Sequence, residues 1–241
     1  MRYGIFSDVH GNLEAFEEVL KFYKKEKIDK YIFLGDIVGY GANPFECIAL
    51  LKNINPVCIA GNHDFAVIDK FSINYFNDYA KEAILWTKNR IGPQDALFLN
   101  NFILQFEEND FICVHGSLNN PGKFNYILGF KEARTNFSLL AKQLLFIGHT
   151  HRAEAYSFGN DGISRIASHK IKLTLGKKYI INVGSVGQPR DHNRLASLCI
   201  YDSKTNMVFF RRLEYNIQKA ANKILEAGLP DILAERLYDG R

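Results

Sequence analysis

Short apolar runs that stop abruptly at a polar residue organise this chain. Val57-Cys58-Ile59-Ala60 is one: Gly61 ends it, and Asn62, His63 and Asp64 follow in three consecutive positions. Four other runs end in the same way, at Phe6-Ser7-Asp8-Val9-His10, Phe33-Leu34-Gly35-Asp36, Cys113-Val114-His115-Gly116 and Phe146-Ile147-Gly148-His149-Thr150-His151. Apolar runs of this length, bounded by glycine, predict buried strands. In α/β proteins, ligands bind beyond the carboxyl ends of such strands. Five strands that end in Asp, Asn or His therefore point to one converged site.

Between the first runs the apolar period becomes helical. Leu13, Phe16, Leu20 and Tyr23 lie at helical spacing behind Asn12, a candidate N-cap, with Glu14, Glu17 and Glu18 early and Lys21, Lys24 and Lys25 late, as the helix dipole favours. A second helix is predicted to start behind Asn43, with Pro44 in the first helical position and Glu46 in the third, a capping-box arrangement. Strand, helix, strand, helix, strand by residue 60 predicts βαβ units and a largely parallel sheet.

From about 65 to 109 the pattern turns helical, with Tyr75 to Arg90 the clearest segment before Gly92-Pro93 breaks it. This is a helical insertion over or beside the site, with Phe71, Tyr75, Phe76, Tyr79 and Trp86 as its local core, and a substrate-stacking role for one of them as the alternative. Strands resume at Phe111 to Val114 and Leu144 to Ile147, on either side of a helix from about Lys131 to Gln143. After His151 short β runs follow as far as Arg212, separated by Gly, Asn and Asp-Gly signals, with Asp161-Gly162 a hairpin turn. Helices from about Ile217 to Glu226 and Asp231 to Tyr238 come last. No repeat, low-complexity tract or linker interrupts 1–241, so one α/β domain is expected.

Composition narrows the function classes. The 241 residues are 47% hydrophobic and 23% charged, ordinary globular values. A net charge of +4 mildly favours anionic ligands and marks no nucleic-acid groove. The lysines at 170, 172, 177 and 178 fit solvated hairpin charges. Cys47, Cys58, Cys113 and Cys199 each sit among apolar residues without a Cys-x-x-Cys pair, which suits small buried hydrophobes. Met1 runs straight into a strand, leaving no signal-peptide core, and no apolar stretch reaches membrane-span length. A cytoplasmic protein without a membrane partner is expected.

Five of the seven histidines, His10, His63, His115, His149 and His151, fall directly after apolar runs. Any one alone fits a hydrogen-bonded structural histidine; His169 and His192 keep that assignment. Together with Asp8, Asp36 and Asn62 at matching positions, they point to metal binding. Asp8 and His10, two apart on an extended segment, can turn toward one ion, and His149 and His151 share that spacing. With Asp36, Asn62 and His115 the candidates number seven, too many for one tetrahedral ion and suited to two ions sharing a carboxylate. Oxygen and nitrogen donors without thiolate suit manganese, iron, zinc or nickel better than magnesium or calcium. Such an ion pair hydrolyses phosphate esters through metal-activated hydroxide. His63, next to Asn62 but not needed as a ligand, is placed to protonate the leaving oxygen.

The ordered set Asp8-x-His10, Gly35-Asp36, Gly61-Asn62-His63-Asp64, His115 and Gly148-His149-x-His151 resembles the calcineurin-like metallophosphoesterase superfamily. Within it, the chain is similar to small bacterial and archaeal phosphoesterases related to diadenosine tetraphosphatase and to YfcE-like phosphodiesterases. The likeness spans nearly the whole chain, including Gly35 to Gly41, Asn182 to Asp191 and Ala227-Gly228-Leu229-Pro230. It implies a four-layer αββα sandwich and a two-metal site. Asp8, His10, Asp36 and His151 would hold one ion; Asp36 would bridge to a second held by Asn62, His115 and His149. Manganese is the leading candidate, and His63 would be the proton donor.

Relatives that act on Ser/Thr phosphoproteins carry Asp-Arg where this chain has Gly39-Tyr40. The phosphate-clamping Arg and the Asp that orients the histidine are thus replaced. That leaves Asp64 as the candidate to orient His63, and Tyr40 and Arg190, the latter on the Gly184–Asp191 loop, as candidate substrate contacts. The expected activity is hydrolysis of phosphomonoesters or phosphodiesters of small substrates or nucleotides. A protein phosphatase, a dinucleoside polyphosphate hydrolase and a non-enzymatic scaffold are the alternatives. Polymeric nucleic acid would need a basic, aromatic-lined track, which the sequence does not display. The resemblance also carries the expectation of a homodimer.

Overall fold

The apolar runs are continuous because their strands are covered on both faces. In the computed structural model, which describes residues 1–241, β1 (Arg2–Phe6) turns Tyr3 and Ile5 to one side and Phe6 to the other. β5 (Phe111–Val114) and β6 (Leu144–Ile147) alternate likewise: Phe111, Cys113, Leu144 and Phe146 face one core, and Ile112, Val114, Leu145 and Ile147 another. This is the two-residue period of a strand expressed as two packing surfaces.

Two six-stranded sheets result. The first joins β1, β2 (Lys30–Phe33), β3 (Val57–Cys58), β9 (Lys170–Lys172), β11 (Ala196–Asp202) and β12 (Met207–Leu213) in the order β3-β2-β1-β11-β12-β9. The second joins β4 (Gln105–Glu107), β5, β6, β7 (Ala153–Gly159), β8 (Gly162–Ile166) and β10 (Lys178–Val183) in the order β4-β5-β6-β10-β7-β8. Parallel pairs β1/β2 and β2/β3 form one side of the first sheet, and β5/β6 and β6/β10 the centre of the second.

The sheets press face to face through an aromatic cluster. Tyr3 meets Phe111 edge-on at 5.0 Å between centroids, and Phe146 and Tyr201 complete the group at 5.8 Å from one another. Such pairs contribute roughly 0.5–1.5 kcal/mol each beyond buried area. Outside the first sheet lie α1 (Leu13–Lys25), α2 (Pro44–Ile54), α7 (Ile217–Glu226) and α8 (Asp231–Asp239); outside the second lies α6 (Phe130–Leu139). The four-layer αββα sandwich is thus present, with α3 (Asn62–Val67), α4 (Asp78–Lys88) and α5 (Pro93–Asn100) as its helical insertion.

Local details depart from the sequence reading in two places. The segment after residue 100 is not helical: β4 pairs antiparallel with β5, and Ile59 bridges Ile103. Gln105 and Glu107 are exposed, so this edge strand carries no apolar run to announce it. The capping box at Asn43 does not form. Its amide donates to the Glu46 carboxylate at 3.0 Å and its carbonyl accepts from Lys223 at 2.9 Å, so the side chain has turned away from the helix N–H groups. Asn12, in contrast, caps α1 through Ala15 N–H at 3.1 Å. Of the cysteines, all are free and three are buried. No helix is long and apolar enough to cross a membrane.

Candidate metal centre

The first sheet delivers Asp8, His10, Asp36, Asn62 and His63 just beyond β1, β2 and β3; the second delivers His115, His149 and His151 beyond β5 and β6. The turns are tight. Asp8, His10, Asp36, His149 and His151 all have positive φ, between 50° and 65°. Left-handed backbone costs a non-glycine residue of order 1 kcal/mol or more and persists where surrounding contacts over-determine it. Those contacts are present: Asp8 N–H donates to Gly35 C=O, His10 N–H to Asp36 C=O, and Gly148 N–H to His115 C=O, each within 3.0 Å.

The two carboxylates divide their oxygens between the fold and the site. Asp36 Oδ1 accepts His63 N–H at 2.8 Å, and Asp8 Oδ2 accepts His149 N–H at 3.0 Å. Asp36 Oδ2 then faces His115 Nε2 at 3.2 Å and His10 Nε2 at 3.7 Å. Asp8 Oδ1 faces His151 Nε2 at 3.3 Å and His10 Nε2 at 3.7 Å. A Cβ at Gly61 would run into the Asp36 carboxylate, which is why glycine ends that strand.

The imidazoles are aimed by backbone carbonyls. His10 Nδ1 lies 2.9 Å from Val38 C=O, His115 Nδ1 2.7 Å from Leu34 C=O, and His151 Nδ1 2.6 Å from Gln188 C=O. A carbonyl only accepts, so each Nδ1 carries the proton, and in a neutral ring Nε2 keeps a lone pair directed inward. The consequence is that His10 and His151 place two such nitrogens 3.1 Å apart. Asp8 Oδ1, Asn62 Oδ1, His115 Nε2 and His149 Nε2 are also buried without hydrogen-bond partners. A buried orphan costs about 1–3 kcal/mol, so this many in one place fit divalent cations and little else. They fall into a group of Asp8, His10 and His151, another of Asp36, His115 and His149, and a third of His10, Asp36 and His63, with ligand atoms within 4.8 Å inside each. Asp36 belongs to two of the three.

Residues 1–180 match the family model for calcineurin-like phosphoesterases. The chain belongs to that family. An uncharacterized protein from Methanocaldococcus jannaschii is 42% identical to it over 244 residues, covering 98% of this chain and 97% of its own. The crystal structure of a metallophosphoesterase from Sphaerobacter thermophilus is 35% identical, superimposes with a TM-score of 0.87, and covers 100% of this chain and 99% of that one. A hypothetical protein from Pyrococcus horikoshii OT3, 22% identical, shares the fold at a TM-score of 0.80, with 100% of this chain and 98% of that one covered.

Electrostatics in this calcineurin-like phosphoesterase keep most of the donors free of protons. Burial alone would raise Asp8 and Asp36, yet His151 and His10 beside Asp8, and His115 and His63 beside Asp36, hold both carboxyls well below the usual range. Burial and the neighbouring His115 push His149 down to about 3; burial and the Arg190 guanidinium push His151 down to about 4. His115 goes the other way. Burial would lower it, but the Asp36 carboxylate raises it to about 9.

His63 sits against this cluster without a carboxylate to orient it. Its ring meets Tyr40 at 4.6 Å, His10 at 4.7 Å and Phe76 at 4.8 Å, all edge-on. Gly39, at φ +90°, makes room: a Cβ there would strike the imidazole. Packing orients this ring. Asp64, expected in that role, is instead turned toward the backbone, where it accepts Asp36 N–H at 2.7 Å, Ile37 N–H at 2.9 Å and Gly61 N–H at 3.1 Å. It fastens the β2 and β3 turns together, and His63 Nδ1 has no partner. Burial, then the Asp36 carboxylate, push Asp64 up to about 7 against the pull of those N–H groups.

Loop 184–191 borders the cluster. Gly187 N–H and Ser185 Oγ both donate to Asp8 C=O, at 2.9 and 2.8 Å. Arg190 lies over the Tyr40 ring at 5.3 Å and is held by Gln188 Oε1 at 2.7 Å. Gln188 thus fixes both the arginine and, through its carbonyl, His151; the sequence points to its loop through Arg190 but not to this residue. Tyr126 was also missed. Its ring stacks on His149 at 3.9 Å and 11°, and an aromatic among the apolar residues Phe124, Ile127, Leu128 and Phe130 gives no motif. His169 and His192 are exposed.

Proposed function

We propose that this protein hydrolyses phosphodiester or phosphomonoester bonds of small phosphorylated compounds or nucleotides, using two divalent transition-metal ions. Convergence of seven side chains from two sheets, several left as buried acceptors without partners, carries the reading. Asp8, His10, His151 and Asp36 would hold one ion, and Asp36, Asn62, His115 and His149 the other. Donors of oxygen and nitrogen alone favour manganese, with iron, zinc or nickel as alternatives. When bound, such a pair lowers the pKa of water and neutralises phosphoryl oxygens.

The chain's own groups supply the rest. Arg190, braced by Gln188 and stacked over Tyr40, is placed to pair with a phosphoryl oxygen, and Tyr40 to contact the same group. Burial pushes His63 well below the usual imidazole range, so at neutral pH its ring is uncharged. It therefore donates an N–H hydrogen bond to the leaving oxygen and stabilises the negative charge that develops there, while water supplies the proton. Asp64 takes no part in that transfer; it holds the turns that carry Asp36 and Asn62. Four free cysteines fit a reducing compartment, which favours the cytoplasm.

The test is a panel of aryl monoesters, aryl diesters and dinucleotides, assayed with manganese, nickel, zinc and magnesium after chelator treatment. Metal-restored turnover on one class is expected. A chain that stays inert on the whole panel with two ions bound would support the scaffold alternative. In the same assay His63→Ala should lower kcat by about 10²–10⁴ with metal content unchanged; loss of metal would make His63 a ligand.

A further inference from the structure

A cleft of about 480 Å³ opens beside the candidate centre, and Asn62 and His149 are part of its lining. That volume lies in the range of small-molecule sites. Its walls come from two distant segments. The helical insertion supplies Phe71 and Tyr75, stacked at 5.2 Å and 29°, and Tyr75 is 79% exposed. The loop after β5 supplies Lys123 and Tyr126. Phe124, between them, is buried, holds φ +51°, and meets Phe71 edge-on at 5.1 Å, so it ties the walls together. A bulky residue in left-handed backbone is a true outlier, and such strain gathers where a loop is held in one shape for a ligand. Exposed Lys123 is the single cation of the lining.

A tyrosine with one face on Phe71 and the remainder in solvent does little for folding. It offers an aromatic surface at the rim of a phosphoester site. We propose that this cleft is a base subsite: it takes the planar heterocycle of a nucleotide whose phosphate lies at the metal centre, with the base against Tyr75 and Lys123 at its edge. The assignment rests on the function proposed above and names its substrate class as nucleotides. Each stacked base contributes roughly 1–3 kcal/mol by aromatic-to-alanine substitution. The cleft holds one base, and Lys123 is the one lysine or arginine that lines it.

Calorimetry on the metal-loaded protein tests this without relying on turnover. The probes are a hydrolysis-resistant adenosine 5′-phosphonate and the matching ribose 5-phosphonate, which lacks the base. The adenosine compound should bind at least about tenfold more tightly, the size of one stack. Tyr75→Ala should bring that ratio close to one, while Tyr75→Phe, which keeps the ring, should preserve it. Lys123→Ala should reduce it by a smaller factor. Equal affinity of the two probes for the unaltered protein, or a full ratio in Tyr75→Ala, would overturn the subsite. An oligonucleotide that binds far more tightly than the mononucleotide would overturn it in favour of a polymer track. Failure to hydrolyse any ester would count against the proposed function alone, since the affinity ratio reads the subsite separately.

Discussion

The two halves of the candidate centre use the same kinds of side chain and hold them differently. Around Asp8, every group is tied to backbone: His10 and His151 to carbonyls, Asp8 itself to His149 N–H and, through its carbonyl, to loop 184–191. Around Asp36 the ties thin out. His115 is fixed to Leu34, but His149 is held by a stack on Tyr126, which is 48% exposed, and Asn62 has a free carbonyl oxygen. Asn62 and His149 also line the cleft. One half is locked by its backbone ties, and the other, which borders the cleft, is the more accessible.

The largest perturbation removes the residue common to both halves. Asp36→Ala should strip both ions and lower turnover by at least about 10³-fold, several kcal/mol of transition-state stabilisation. Retention of one ion at full occupancy would show that the halves are independent. Next comes Asp64, the fastener of the accessible half. Asp64→Ala leaves three N–H groups without acceptors, at roughly 1–3 kcal/mol each, so a loss of about 3 kcal/mol or more is expected. For a chain of this size that lowers Tm by roughly 6–12 °C. An unchanged Tm would mean that water replaces the carboxylate.

The halves should also differ in pH response. The Asp36 carboxylate holds His115 up to about 9 against the pull of burial. In the ion-free protein this raised value stabilises the fold fully below the ordinary pKa of about 6.5, and the stabilisation is lost as pH rises through 9. An ion at the accessible half must displace that proton. Its affinity should therefore climb about tenfold per pH unit from 7 to 9 and level off above, with one proton released per ion. His151, pushed down to about 4, is already neutral and gives the locked half no slope there. Calorimetric titrations in buffers of different ionisation enthalpy would measure both. The smallest effect is Tyr126→Ala, which should weaken only the second ion, by about 10-fold, leaving the first unchanged in a stoichiometric titration.

The candidate ligands were legible as a pattern in the sequence because most follow strands buried on both faces, so the end of an apolar run marks their positions. The way they are held was not. Asp64 follows His63 directly, yet its carboxylate turns to Asp36, Ile37 and Gly61 N–H groups, since a buried carboxylate takes whatever donors the turns bring to it. The Asn43 capping box failed for a similar reason, when Lys223 from a distant helix competed for the side chain. Tyr75 has the composition of local core and lies largely in solvent. The edge strand β4 has a single apolar residue, Phe106, between two that face water, too short an alternation to mark a strand.

Anomalous diffraction at a manganese or zinc edge, on crystals loaded with that metal, bears most directly on the centre. Two peaks per chain are expected, one among Asp8, His10 and His151, the other among Asn62, His115 and His149, with the Asp36 carboxylate between them. A single peak, or ions bound away from these side chains, would contradict the account.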